Sequence, residues 1–167
     1  MATFEEDAHL FNGHMEVDVV IEAPPMKVWR QFIDLNSWLL THDVEELTGE
    51  RGKVGVITRV SPKKGSARMS LPPPHYHYCK LIKAIPGQQY VLKTYSEQGG
   101  SYGMQLTAFD DTRFIELDSA TRVTFNFYGQ YSGERIDPAQ MSLNPNRDNM
   151  LKNLANLKRI VEESGAL

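Results

Sequence analysis

Between Asp43 and Asp137 the chain never runs far without a turn signal, and that spacing constrains its fold more than anything else in it. Strand-like text at 44–47, 54–60, 76–85, 89–96, 102–109, 114–117 and 122–131 is cut by Gly49 to Gly52, a long loop over 61–74, Pro86-Gly87, Gly99-Gly100, Asp110-Asp111 and Asp118-Ser119. Gly, Pro, Asp and Ser gather at such points because they supply or tolerate the backbone angles of turns. Neighbouring parallel strands need crossovers of about a dozen residues or more, usually a helix. These intervals leave no room for one, so the spacing predicts an antiparallel sheet.

The flanks supply the other layer. Met15, Val17, Val19 and Ile21 alternate with Glu16, Asp18 and Val20, the pattern of a strand with one face on a core. Pro24-Pro25 ends that strand and suits a first helical turn. Val28, Trp29 and Phe32 then recur at helical spacing, and a second short apolar piece follows at Trp38, Leu39 and Leu40. Such short helices do not persist alone and must rest on something larger. At the other end, Asn144-Pro145 opens a helix whose narrow stripe is Met150, Leu154, Leu157 and Val161, with Leu151 and Ile160 on its shoulders. Lys152, Asn156, Arg159 and Glu163 take the opposite side. About 18 residues would span roughly 27 Å, enough to cross several strands. A bent sheet around such a helix leaves a cavity unless bulky side chains fill it.

With 167 residues the chain suits one compact domain, and two would each be marginally small. Residues 1–13 read as a flexible N-terminal arm and 14–167 as a single domain. The formal charge of -3 gives no field to attract a polyanion, so neither nucleic acid nor an anionic membrane surface is expected as a partner. Lys63-Lys64, near Arg59 and Arg68, is too short a cluster for a phosphate-tracking groove and reads as a solvated loop. The lone Cys79 fits a reducing compartment, and the acidic start MATFEEDAHLF is unlike a signal peptide. No apolar run is long enough to cross a bilayer. The expectation is a cytoplasmic protein, monomer or homodimer, without membrane insertion.

The opening VDVVIEAPPMKVWRQFIDLNSW, the GERGKVG turn, the RVTFNFYGQYSG strand and the closing NMLKNLANLKRIVE helix resemble the START-like superfamily, also called SRPBCC or Bet v 1-like. Within it they resemble the polyketide cyclase/dehydrase and lipid-transport group. The resemblance covers roughly residues 14–164, and Ile21 to Pro25 followed by Val28-Trp29 is its most specific part. It implies an α+β helix-grip fold in which a curved seven-stranded sheet holds the terminal helix around a pocket. Members of the superfamily use that pocket for lipids, sterols, plant hormones or polyketide intermediates, so the resemblance implies the container and leaves the activity open.

Three functions follow as expectations: a binding protein for a small hydrophobic or aromatic molecule; a cyclase, aromatase or dehydratase using Tyr/His acid-base chemistry; or a helper domain that contacts another protein. The expected pocket residues are Trp38, Tyr76, Tyr78, Tyr95, Tyr102, Phe125, Tyr131, Met150 and Leu154. Aromatic rings there would offer flat faces and phenol groups to a hydrophobic ligand, and each also reads as ordinary packing. His75 and His77 share one face of a regular strand. They read either as surface imidazoles beside Pro72-Pro73-Pro74, or as proton-moving groups near the pocket mouth. A metal would need a third protein ligand that His9, His14 and His42 do not announce, so no metal is expected. Asp110-Asp111 reads as turn chemistry and Cys79 as an unactivated thiol. Gly49, Gly52 and Gly55 precede a strand and not a helix, which leaves no phosphate-cradling loop and no expected cofactor.

Overall fold

The computed structural model describes residues 13–63, 77–96, 105–132 and 143–164, with side chains described at 15–61, 63, 78–94, 108–128 and 147–164. The elements in chain order are β1 (Gly13–Ile21), α1 (Pro25–Phe32), α2 (Leu35–Trp38), β2 (His42–Thr48), β3 (Ile57–Pro62), β4 (His77–Ile85), β5 (Gln89–Ser96), β6 (Gln105–Leu117), β7 (Ala120–Ser132) and α3 (Leu143–Ser164). The strands form one seven-stranded antiparallel sheet in the order β1-β7-β6-β5-β4-β3-β2. The sheet curves around α3, with the two short helices after β1, which is the helix-grip arrangement.

Each flank forms for the reason its sequence gives. Pro25 occupies the first turn of α1, and Val28, Trp29 and Phe32 are its buried residues. Along α3 the stripe turns inward: Leu154, Leu157 and Val161 are no more than 1% exposed and share a core with Val17, Ile21, Val123 and Phe125 of the sheet. The helix runs parallel to β1. Arg147 Nη1 donates to Glu16 O at 2.7 Å, Lys158 Nζ to Val20 O at 2.8 Å, and Glu22 N to Glu162 Oε1 at 2.9 Å.

Two expectations are corrected. The 102–109 and 114–117 strands are one element, β6, and Asp110-Asp111 lies in its middle and not in a turn. Both residues are paired on both sides, Asp110 with Leu92 and Phe127, Asp111 with Val91 and Asn126. A ladder on each edge commits the backbone to extended geometry, which overrides the local preference of Asp for turns. Asn156, expected on the solvent side of the last helix, is half-buried and donates to Trp38 O at 2.9 Å. The turn between β4 and β5 does follow its glycine: Gly87 has φ +71°, and a Cβ there would meet Met26 Sδ at 2.9 Å.

Candidate functional site

The space between sheet and helix has two unlike ends. At the level of α1 and α2, aromatic rings fill it. Trp29 meets Tyr90 and Phe114 edge-on with centroids 5.8 and 5.4 Å apart, and Phe32 meets Tyr90 and Phe114 edge-on at 5.1 Å. Trp38 stacks on Phe32 at 5.1 Å and donates its indole N–H to Phe32 O at 2.8 Å. All five rings are buried. Edge-on contacts of this kind suit the ring quadrupoles and hold that end closed. The cleft beside it, edged by Ile33, Asn36, Val44 and Arg51, has room for about one water, ≈ 10 Å³.

Further along the sheet the inner face changes character. The register places Phe127, Asp110 and Leu92 in one row, level with Met15. The next row reads Gly129, Ala108, Thr94, Cys79, Thr58 across five strands. Every member of that second row is small. Cys79 Sγ and Thr94 Oγ1 are 3.3 Å apart, and Thr58 Oγ1 donates to Cys79 O at 3.5 Å. Because α3 runs parallel to β1 from Arg147 onward, the level of these rows corresponds to its early turns, where Met150 is half-buried and Leu154 is buried.

Asp110 is the unusual member of this wall. Part of the residue keeps accessible surface, while its Oδ1 is shut off from solvent and has no hydrogen-bond partner among the described residues. Burial pushes its pKa up to about 7, because a carboxylate removed from water loses the hydration that favours its charged form. Burial, and then the Asp110 charge, push the Cys79 thiol up to about 12. Burial also raises the Tyr90 phenol. Both groups are neutral near pH 7, and Cys79 is no nucleophile there.

Of the residues expected from sequence, Phe125 (7% exposed), Leu154 and Met150 join the core between sheet and helix. Trp38, 2% exposed, belongs to the aromatic end. Tyr78 alternates with the core residues Cys79 and Leu81 along β4 and so lies on the other face of the strand. Backbone register places His77 opposite Val60 and Ser96, Tyr95 opposite Tyr78 and Thr107, and Tyr131 opposite Leu106. His75, Tyr76 and Tyr102 lie outside the described residues. Among the described residues no three His, Cys, Asp or Glu side chains come together as a metal would require. No helix among them is long and apolar enough to cross a membrane.

The sequence reading missed Asp110, Thr94 and the Cys79 position as one wall. It also missed Asn153, which is 1% exposed within the apolar stripe of α3. Its Oδ1 accepts from Leu40 N at 2.8 Å and its Nδ2 donates to Thr41 Oγ1 at 2.9 Å, tying the helix to the segment after α2. The available signal for Asp110 was the alternation of Ala108, Asp110, Thr112 and Phe114 with Phe109, Asp111 and Arg113, read through the two acids instead of stopping at them.

No family model matches the chain, and no curated protein is significantly similar to it. Solved structures are similar in fold. A conserved protein from Geobacillus kaustophilus superposes with a TM-score of 0.68 at 13% identity, covering 91% of this chain and 97% of its own. A protein from Chromobacterium violaceum gives 0.64 at 18%, covering 89% and 96%. The Zhui aromatase/cyclase from a Streptomyces species gives 0.64 at 14%, covering 90% and 93%. Identities this low show a shared fold alone, the helix grip.

Proposed function

We propose that the protein binds a small hydrophobic or aromatic molecule, of lipid-like or polyketide-like character, between the sheet and the early turns of α3. The observation that carries this reading is the row of small side chains, Ala108, Thr94, Cys79 and Thr58, on the inner face facing the helix layer. Protein interiors leave few voids larger than a water, so a layer of small residues under a helix needs other groups to occupy the gap. Phe125, Phe127, Leu92, Met150 and Leu154 supply apolar walls around it. Covering about 200 Å² of apolar ligand surface would contribute roughly 5 kcal/mol before the cost of immobilising the ligand.

Native mass spectrometry with a panel of fatty acids and fused-ring aromatic probes tests this, using the whole chain and an Ala108→Phe variant. The wild type should retain apolar probes, and the folded variant should lose them because the new ring occupies the gap. Equal retention by both proteins, or none by the wild type, refutes the reading.

A second reading, an enzyme of the cyclase, aromatase or dehydratase class, is favoured by Asp110. Burial pushes its carboxyl up to about 7, as a proton donor to a bound substrate would require. A structural neighbour is itself called an aromatase/cyclase. Turnover of a poly-β-ketone probe that disappears in Asp110→Asn with binding retained would establish this reading. Turnover that instead depends on His75 or His77 would move the chemistry to the imidazoles.

A further inference from the structure

The binding reading says nothing of how a ligand would be oriented, and the described wall has one polar group available to do so. Thr94 and Cys79 are engaged with each other, and Thr58 with the Cys79 carbonyl. Across β6, Asp111 is engaged with Gln89 and Arg113. Asp110 Oδ1 alone is a buried side-chain oxygen or nitrogen without a partner among the described residues. Buried polar atoms are nearly always satisfied, and one left without a partner on the inner wall is a place for a group that enters between sheet and helix.

We propose that Asp110 is the orienting anchor of this pocket and that its ligand is an uncharged molecule with a carbonyl oxygen, which accepts a hydrogen bond from the protonated Asp110 carboxyl. This rests on the binding reading above and narrows its ligand class.

The surroundings favour the neutral form below about pH 7. Leu92 and Phe127 flank Asp110 on the neighbouring strands, and Met150, Leu154 and Leu157 are among the apolar residues that α3 turns to the core. Among the residues whose side chains are described, the titratable groups on the inner face are Cys79 from β4 and Tyr90 from β5, both uncharged near neutrality, and His77 shares the strand register of Cys79. Lys80, Lys93 and Arg122 are exposed, and Asp111 and Arg113 alternate with Asp110 onto the outer face. Burial raises the Asp110 carboxyl to about 7, with no cation among the described residues opposing the shift. A protonated carboxyl offers one O–H donor and retains acceptor capacity, which matches a ketone. A carboxylate here would instead require a cation, and an isolated buried charge is costly.

Three probes of similar shape separate the possibilities: acetylnaphthalene, which carries the carbonyl; ethylnaphthalene, which lacks it; and naphthylethylammonium, which carries a positive charge. Fluorescence titrations of the intact protein at about pH 5.5 and about pH 8.5 bracket the Asp110 titration. The wild type should hold the ketone roughly 5- to 10-fold more tightly than the hydrocarbon at the lower pH, the worth of one hydrogen bond. That preference should shrink toward unity at the higher pH, where the donor proton is lost. Asp110→Leu should bind the hydrocarbon and lose the preference at both pH values. Asp110→Asn, whose amide N–H donates without titrating, should keep it at both. An unchanged preference in Asp110→Leu overturns the anchor and leaves the pocket standing. Tightest binding of the ammonium, strengthening as pH rises, overturns the uncharged-ligand assignment. Binding of none of the three probes overturns both the anchor and the pocket.

Discussion

Asp110 and Asp111 are adjacent in β6 and serve opposite faces of one sheet. On the outer face Asp111, 2% exposed, accepts from Gln89 Nε2 at 2.9 Å and from Arg113 Nε at 3.0 Å. On the inner face the Asp110 Oδ1 meets no partner among the described residues. Two identical side chains one residue apart thus have different chemistry, because the pleat sends them into different environments. One locks neighbouring strands together, and the other faces the interior with hydrogen-bonding capacity to spare.

Asp110 should make stability fall as pH rises. Its folded pKa is about 7, above the roughly 3.9 of an unfolded aspartate. Below both values the residue is protonated in either state and its contribution is fully present; that contribution is lost as pH rises from about 4 through about 7. Urea denaturation of the wild type should therefore show stability declining over that window relative to Asp110→Asn, by up to about 2–4 kcal/mol above pH 8. A gap between the two proteins that does not change with pH contradicts the assignment.

Asp111 should behave in the opposite sense when truncated. Asp111→Ala strands the buried Gln89 amide and removes the Arg113 pair, at a cost of about 2–3 kcal/mol. Asp110→Ala, which breaks no hydrogen bond at Oδ1, should cost less than about 1 kcal/mol or stabilise near neutral pH. Paired thermal melts measure the difference, and equal losses would place the two carboxylates in equivalent environments.

Asn153 should act as a clasp between α3 and the segment leading into β2. Asn153→Ala removes the partner of Leu40 N and one of the two partners of Thr41 Oγ1, with an expected loss of about 1–3 kcal/mol. Asn153→Leu should not restore it, although leucine is the better helix former and would suit an apolar stripe. Hydrogen exchange at the Leu40 amide gives a local readout; unchanged protection there would show that the contact contributes nothing.

Leu157 lies at the centre of the grip and is fully buried. Leu157→Ala should cost about 2–5 kcal/mol through lost burial and the cavity left behind, seen in denaturant midpoint. Leu151, 37% exposed on the same helix, should tolerate alanine within about 0.5 kcal/mol. Similar losses at both positions would mean that the inward face of the helix is not the one described.

The sequence by itself determined the scaffold. Strand intervals too short for crossovers allow only antiparallel pairing, the Met150-Leu154-Leu157-Val161 stripe requires an apolar partner, and Pro24-Pro25 separates a strand from a helix. These are local patterns whose physical meaning is the same in any context. Tertiary structure alone decided what the inner wall is made of. Asp110 reads as a turn residue until strands on both edges hold it extended, and Asn153 reads as an ordinary polar helix residue until the segment after α2 reaches it. Thr58, Cys79, Thr94 and Ala108 are separated by 14 to 21 residues along the chain and become one row only through register. Lateral alignment between strands depends on every pairing at once, and burial then acts on whatever that alignment brings inward. The candidate site arises at that second step, which is why a carboxyl with a raised pKa was hidden in two letters that look like a bend.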